Sequence, residues 1–103
     1  MNISILPKEA RKKQEERVIF LDVRTKEERT IASLEPSLWI PVDELEQRYV
    51  ELYTKKELIV FCHHGSRSDV AAAFLRSKGF RAVSLEGGID RWAREIDTTI
   101  ATY

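Results

Sequence analysis

The stretch that decides the fold of this chain is Leu58-Ile59-Val60-Phe61-Cys62-His63-His64-Gly65-Ser66-Arg67-Ser68. Its first four residues are an uninterrupted apolar run, which is typical of a strand covered on both faces of a parallel sheet. The only cysteine of the chain follows at once, a glycine-containing turn comes next, and a helical pattern covers about residues 68–78. A strand that ends in a thiol and leads through a tight turn into a helix predicts an anion-binding cup with a nucleophile at its centre.

The predicted cup suits a thiolate, which is the reactive form of cysteine. The first backbone N–H groups of a helix have no intrahelical partner, and the aligned peptide dipoles add partial positive charge there. A tight loop that contains Gly65 can turn further N–H groups towards one point and form a nest for an anion. A plainer interpretation of Cys62 stays open, since a lone cysteine is also a common buried hydrophobic residue.

Length and charge exclude several classes of protein. With 103 residues we expect one domain over residues 1–103, large enough to bury about two-thirds of the surface that the unfolded chain exposes. Lysine plus arginine and aspartate plus glutamate number 17 each and are interspersed, so we expect neither a nucleic-acid partner nor a membrane surface. Residues 1–7 lack the long apolar region of a signal peptide, and one cysteine gives no internal disulfide, so we expect a cytoplasmic location.

Strand patterns recur along the chain. The two most apolar are residues 18–23 and 58–61, and the weaker ones are 3–5, 38–42 and 82–85. Helical patterns lie between them, and this alternation predicts an α/β domain with a mainly parallel sheet and helices on both faces.

The helical segments carry recognisable boundary signals. Asp43 with Glu46 predicts an N-cap and its N3 partner, and an apolar face follows at Leu45, Tyr49 and Leu52. Gly79 predicts the end of the helix that follows the cysteine. After Gly87-Gly88, apolar residues at helical spacing predict a last helix, namely Ile89, Trp92, Ala93 and Ile96.

Two of the predicted strands end in residues suited to chemistry. Asp22 and Arg24 lie at the end of the first long apolar run, and Cys62 follows the second. Ligands in open α/β folds bind beyond the carboxyl ends of the strands. We therefore expect these three residues to lie near the same edge of the sheet, although Asp22 and Arg24 could form an ion pair with a purely structural role.

Several short motifs, in order, resemble those of a known family. They are Leu21-Asp22-Val23-Arg24 with Glu27-Glu28, Ile40-Pro41-Val42-Asp43-Glu44-Leu45, the loop from Cys62 to Ser68, Gly79-Phe80, and Leu85-Glu86-Gly87-Gly88-Ile89-Asp90-Arg91-Trp92. Over about residues 18–92 the chain resembles a single-domain rhodanese, a sulfurtransferase module. The resemblance implies a three-layer α/β/α domain. The Cys-His-His-Gly loop and residues 96–103 further resemble rhodanese domains that occur alone or fused to enzymes activating ubiquitin-like sulfur carriers.

The resemblance also implies a mechanism and roles for the loop. Cys62 would take sulfur from thiosulfate or another persulfide and pass it to a thiol, cyanide or a sulfur-carrier protein, through a cysteine persulfide and without a cofactor. The backbone donors and loop supports would be Gly65, Ser66, Arg67 and Ser68. Arg67 would brace the loop, and Asp22 and Arg24 would organise the adjacent strand end.

The two histidines are open to more than one interpretation. His63 and His64 would flank the mouth of the cup and attract an anionic donor when protonated, or they would be plain surface residues. Many relatives carry arginine or lysine where this chain has His63. A metal site at Cys62-His63-His64 is not expected, because consecutive side chains rarely converge on one ion and no fourth ligand is suitably spaced.

Loop length separates related chemistries within the resemblance. Sulfurtransferases have four residues between the cysteine and the arginine, whereas the related cell-cycle phosphatases and arsenate reductases have five. Four residues lie between Cys62 and Arg67, which favours sulfur transfer. A cysteine phosphatase or arsenate reductase, and a non-catalytic interaction module of the same fold, are the alternative functions. Residues 31–39 differ from the family in having Pro36-Ser37 where a glycine-containing turn is common.

Overall fold

The computed structural model of the chain describes residues 3–52 and 55–103, so Met1, Asn2, Tyr53 and Thr54 of the predicted domain lie outside the described residues. In this part of the chain, parallel strands form one sheet, in chain order β1 (Ser4–Ile5), β2 (Val18–Asp22), β3 (Leu38–Trp39), β4 (Glu57–Phe61) and β5 (Ala82–Leu85). The spatial order is β1-β5-β4-β2-β3, which places the apolar β4 at the centre of the sheet, beside the apolar β2. The predicted parallel sheet is therefore confirmed.

Helices cover both faces of this sheet. They are α1 (Pro7–Lys13), α2 (Lys26–Ile31), α3 (Leu45–Arg48), α4 (Ser66–Ser77) and α5 (Gly88–Glu95). Buried residues of α1 and α5 pack in one core cluster, and those of α3 and α4 pack in a second cluster on the opposite face. The predicted three-layer α/β/α class is confirmed. No helix among the described residues is both long and apolar enough to cross a membrane.

The continuous apolar runs arise because alternate residues of β2 and β4 face different clusters. Ile59 and Phe61 belong to the cluster with α5, while Leu58 and Val60 belong to the cluster with α4. All four side chains are fully buried, and each contributes about 1.5–3 kcal/mol of transfer free energy to folding. Such a strand is fixed in register, and this positions Cys62, the residue that follows it.

The predicted N-cap at Asp43 is wrong. Residues Val42–Glu44 form a 3-10 turn instead, closed by the Glu44 N–H bonding to the Pro41 carbonyl at 2.9 Å, and no side chain caps either this turn or α3. The apolar face is confirmed, since Leu45 and Leu52 are buried and Tyr49 packs against the same cluster. A true capping box begins α2, where the Thr25 side chain accepts from the Glu28 N–H and Glu28 bonds back to the Thr25 N–H.

Two further boundaries differ from the prediction by two residues or more. Strand β3 ends at Trp39 rather than continuing to residue 42, because Pro41 has no N–H to offer a sheet and the Val42 N–H bonds to the Val23 carbonyl at 3.0 Å. Helix α4 begins at Ser66, two residues earlier than predicted, because Gly65 takes a left-handed φ of 118° and turns the chain directly into the helix.

Candidate active site

The site lies where β2 and β4 end. Asp22 is the register partner of Phe61, and the Val23 N–H donates to the Phe61 carbonyl at 3.1 Å. The residues that follow, Arg24 and Cys62, therefore leave the sheet side by side at its carboxyl edge. This confirms the prediction that Asp22, Arg24 and Cys62 lie near one edge.

The active-site loop, residues 62–68, curls around the thiol. Cys62 Sγ accepts hydrogen bonds from the Gly65 N–H at 3.1 Å and from the Ser68 N–H at 3.4 Å. Ser68 Oγ lies 3.5 Å from the sulfur, donates to the Gly65 carbonyl at 3.1 Å, and is 2.7 Å from Ser84 Oγ. These groups form the predicted nest, because two N–H dipoles and the first turn of α4 point positive charge at one sulfur atom.

Helix α5 holds the loop from the other side. The Ile89 N–H bonds to the Cys62 carbonyl at 2.9 Å, and the Asp90 N–H bonds to the His63 carbonyl at 3.1 Å. In a trans peptide the C=O of one residue and the N–H of the next residue point in opposite directions. Because the carbonyls of Cys62 and His63 point towards α5, the N–H groups of His63 and His64 point away from it. The orphan N–H groups of one helix thus orient the peptide planes that follow the thiol.

Gly88 makes this close approach possible. A Cβ atom at this position would lie 2.3 Å from the His63 carbonyl oxygen and 2.6 Å from the Cys62 carbonyl oxygen, and the residue has a left-handed φ of 64°. In the sequence, Gly87-Gly88 indicated only where the last helix begins. The structure adds a packing reason for Gly88, because any side chain there would displace the loop.

Arg67 and Glu28 form the charged rim of the cup. Arg67 lies in the first turn of α4, and its Nη1 and Nη2 atoms donate to Glu28 Oε1 at 2.5 Å and Oε2 at 2.9 Å. This two-point pair holds the pKa of the Glu28 carboxyl well below its usual range, against the opposing effect of burial. Glu28 in turn raises the pKa of Arg67. The loop is therefore tied to α2 through a pair of opposite charges.

Asp22 and Arg24 form a second pair, which is fully buried beside the first. Arg24 Nε donates to Asp22 Oδ1 at 3.0 Å and Nη2 donates to Oδ2 at 2.8 Å, while Nη2 also bonds to the Ala32 carbonyl at 2.7 Å. Burial opposes the charge of Arg24, but the hydrogen bonds to Asp22 and Tyr103 outweigh it and raise its pKa. Arg29 adds a third cation, 2.9 Å from Asp22 Oδ2. An ion pair between Asp22 and Arg24 was one of the two interpretations open from the sequence, and the structure contains it.

Tyr103 joins the two ion pairs. Its hydroxyl accepts from Arg24 Nη1 at 2.9 Å and donates to Glu28 Oε2 at 2.8 Å. Burial, together with the neighbouring Glu28 carboxylate, raises the pKa of Tyr103 to about 12, so the hydroxyl keeps its proton at ordinary pH. The tyrosine ring stacks on His63 with the centroids 3.8 Å apart and an interplanar angle of 5°.

The two predicted mouth histidines lie in different surroundings. His64 is exposed, whereas the half-buried His63 ring lies against both Tyr103 and the His64 ring, whose centroid is also 3.8 Å away. His63 Nε2 is buried and has no hydrogen-bond partner among the described residues. Across residues 3–52 and 55–103, no group of three or more His, Cys, Asp or Glu side chains is placed to hold a metal ion.

Four residues of this site had no role in it predicted from the sequence, although Glu28 and Gly88 lie within the quoted motifs: Glu28, Ser84, Gly88 and Tyr103. Glu28 carried a usable signal, since Thr25 and Glu28 have the spacing of a capping box. Ser84 and Tyr103 carried no signal, because their contacts are tertiary. Ser84 contacts Ser68 across 16 residues, and Tyr103 contacts Arg24 across 79 residues.

The arrangement of the site has a chemical consequence. The cup can hold a sulfur anion on backbone N–H donors, with charged side chains at its rim.

The comparisons with known proteins agree with this geometry. The sequence matches the family described as "Rhodanese-like domain" over residues 6–95. It is 32% identical over 80 residues to a "Sulfurtransferase" of Allochromatium vinosum, covering 77% of this chain and 75% of that protein. It is also 37% identical over 93 residues to "Adenylyltransferase and sulfurtransferase MOCS3-1" of Zea mays, covering 82% of this chain but only 20% of that protein.

A solved structure shows the same fold. The crystal structure of a rhodanese-related protein from Thermoplasma volcanium superposes with a TM-score of 0.85 at 34% sequence identity, and the match covers 90% of this chain and 92% of that one. The order of the strands, the position of the cysteine loop and the family match lead to one assignment. The chain belongs to the rhodanese-like domain family, which includes sulfurtransferases.

Proposed function

We propose that this protein is a sulfurtransferase in which Cys62 carries sulfane sulfur as a persulfide. The observation that supports this most directly is the pair of N–H groups, from Gly65 and Ser68, that point at Cys62 Sγ within a loop of only four residues before Arg67. Such donors stabilise negative charge on the sulfur, and they do so equally for the thiolate that attacks and the thiolate that is regenerated. Residues 1–103 are proposed to form one domain, since both core clusters share one sheet.

The first half of the reaction loads the cysteine. The Cys62 thiolate attacks the outer sulfur of thiosulfate, a bond forms between the two sulfur atoms, and the sulfur–sulfur bond of thiosulfate breaks. Sulfite leaves with the bonding electron pair, and the negative charge of the new persulfide lies on its terminal sulfur. A persulfide donor would react in the same way and leave as a thiolate. Splitting the transfer into two displacements makes each of them easier.

The second half of the reaction removes the sulfur from Cys62. An acceptor thiolate or cyanide attacks the terminal sulfur, the bond from that sulfur to Cys62 Sγ breaks, and the Cys62 thiolate returns to its N–H donors. We propose a sulfur-carrier protein as a further acceptor, because one relative, from Bacillus subtilis, is named "Putative sulfur carrier protein YrkF". The balanced charge of the chain, with 17 basic and 17 acidic side chains, gives no reason to propose nucleic acid.

The side chains around the loop have supporting roles. Arg67 pairs with Glu28, and Arg24 and Arg29 pair with Asp22, so these three arginines already have carboxylate partners. We propose that these pairs fix the position of the loop, and that His63 and His64 form the wall by which a donor enters. A cytoplasmic location remains a prediction from the sequence.

Intact mass spectrometry tests the proposal. The protein and a Cys62→Ser variant are each incubated with thiosulfate and separated from excess reagent, and their intact masses are then measured. We expect the wild type to gain the mass of one sulfur atom and the variant to gain nothing, because the chain has one cysteine. Absence of the adduct with both thiosulfate and a small persulfide donor, or turnover of an aryl phosphate instead, would contradict a sulfurtransferase.

A further inference from the structure

The nucleophile proposed above is closed off from solvent. Cys62 is 0% exposed, although a donor must bring its sulfur into contact with Sγ. The active-site loop encloses the sulfur on the side of its N–H donors, and the Arg67 guanidinium interacts electrostatically with both Cys62 and Tyr103. Some element at the rim of the cup must therefore move before the thiol can react.

Most of the rim is rigidly held. Helix α5 binds the carbonyl groups of Cys62 and His63, and the Asp22–Arg24 pair is completely buried. Helix α2, which carries Glu28, begins with a full capping box. Moving the Asp22–Arg24 pair would break several buried hydrogen bonds at once, which is costly, and moving α5 would break both of its bonds to the loop.

The strap, residues 97–103, is held more lightly. It contains no helix or strand. The Asp97 N–H donates to the Trp92 carbonyl in α5 at 3.1 Å, and the other hydrogen bonds of Asp97 are local, from Thr99 and Ile100. Its connection to the rim is the Tyr103 side chain, which bonds to Arg24 and Glu28 through its hydroxyl. Ile100 and Tyr103 also pack against the core cluster that contains residues of α5. Release of the strap from the rim therefore requires the loss of the two Tyr103 hydrogen bonds and of this packing, but of no strand or helix.

The Tyr103 ring also covers the residue next to the nucleophile. It lies parallel to His63 at a centroid distance of 3.8 Å, and His63 Nε2 is buried there without a hydrogen-bond partner among the described residues. A buried, unpartnered imidazole nitrogen is unfavourable, and it regains a partner when water or a substrate reaches it. Departure of the tyrosine would uncover one face of the His63 ring, beside Cys62.

We propose that Tyr103 is a positioning residue that latches the strap over Cys62, and that a sulfur donor or acceptor reacts only when this latch is released. The hydroxyl keeps the latch closed by bridging Arg24 and Glu28, and the stacked ring fixes His63. The latch bears on sulfur transfer only if Cys62 is the nucleophile proposed above, whereas the covering of the thiol can be tested without it.

Alkylation of Cys62 by iodoacetamide measures access directly, because the chain has one cysteine and the reagent is small and uncharged. Tyr103→Phe removes both hydrogen bonds but keeps the ring, and Tyr103→Leu removes the stacking as well. Tyr49→Phe is the matched control, since that ring packs against Phe74 on the opposite face of the sheet. The second-order rate constant is followed by intact mass, with thermal unfolding recorded for every variant.

We expect Tyr103→Phe to react roughly tenfold faster than the wild type, because hydrogen bonds to charged partners contribute at least a tenfold factor to such an equilibrium. Tyr103→Leu is expected to be faster again, while Tyr49→Phe keeps the wild-type rate. The thiolate absorbance is titrated in parallel. An unchanged titration curve assigns the faster alkylation to access rather than to a larger fraction of thiolate.

If folded Tyr103→Phe and Tyr103→Leu are alkylated at the wild-type rate, the proposal that Tyr103 is a latch is wrong. It is also wrong if a shifted thiolate titration curve fully explains any acceleration. Equal acceleration in Tyr49→Phe would overturn it too, because it would show general loosening of the fold. If alkylation is accelerated while none of the proteins forms a persulfide, the latch stands and the proposed sulfur transfer fails. The two claims are therefore separated by the same set of variants.

Discussion

Replacing Gly88 by alanine should damage the active-site loop far more than it damages the fold. The added Cβ would lie 2.3 Å from the His63 carbonyl oxygen and 2.5 Å from the carbonyl carbon, with backbone on both sides of the contact. Backbone cannot rotate away as a flexible side chain can, so the loop must retreat by roughly 1 Å to reach an ordinary contact distance. A left-handed φ of 64° adds strain of about 1–2 kcal/mol for any residue with a Cβ.

The magnitude of the kinetic effect follows from this displacement. The hydrogen bonds from α5 to the carbonyls of Cys62 and His63 would be stretched or broken, and the donors around Sγ would shift with the loop. A misplacement of about 1 Å at a reacting centre costs on the order of a hundredfold in rate. We expect the rate of persulfide formation in Gly88→Ala to fall by about that factor.

Gly79→Ala supplies the matched control. Gly79 also has a left-handed φ, 92°, but a Cβ there would meet nothing within 4 Å. Both variants should therefore lose a similar stability from backbone strain, while only Gly88→Ala should lose activity. Single-turnover persulfide formation is measured by mass, and unfolding by circular dichroism. A folded Gly88→Ala protein that loads sulfur within about twofold of Gly79→Ala, against the hundredfold expected, would refute the role given to α5.

Three further predictions concern the loop and its rim. Cys62→Ser should retain the far-ultraviolet circular dichroism of the wild type and lose transfer to below roughly one part in a hundred, because the ionisable sulfur is gone; higher residual turnover would contradict the assignment. Inserting one residue between Gly65 and Ser66 should slow thiosulfate turnover on the order of a hundredfold by displacing the donors, and unchanged turnover would show that loop length is not decisive. Glu28 has a lowered pKa in the folded protein, so its pairing with Arg67 stabilises the fold above its ordinary pKa and is lost as the pH falls below it. The stability difference between wild type and Glu28→Gln, from urea unfolding at several pH values, should therefore shrink in acid, and a difference independent of pH would contradict the pairing.

The centre of the fold was predictable because its signals are local. Buried strands of a parallel sheet need apolar residues on both faces, and residues 58–61 show this without reference to the rest of the chain. The chain direction of parallel strands then places Asp22 and Cys62 at one edge. Even here the boundary of α4 was wrong by two residues, since the conformation of Gly65 is decided by the contacts of the loop.

The rim of the site was less accessible to sequence reasoning. Asp43 has the spacing of a cap, but the fixed geometry of Pro41 starts a 3-10 turn before the cap could form. Gly87-Gly88 indicated only the start of a helix, and the packing of α5 on the loop shows why a side chain is excluded at Gly88. Tyr103 meets Glu28 across 75 residues of sequence, so no local pattern could have revealed that contact.

The most direct test of sulfur transfer through Cys62 is a single turnover of the loaded protein. Protein that has been treated with thiosulfate and freed of it is mixed with cyanide, and thiocyanate is measured beside the intact mass. We expect one thiocyanate for each persulfide, with the mass returning to that of the unmodified chain and no product from Cys62→Ser. Thiocyanate formed without loss of the added sulfur, or formed equally by Cys62→Ser, would contradict a Cys62 persulfide as the intermediate.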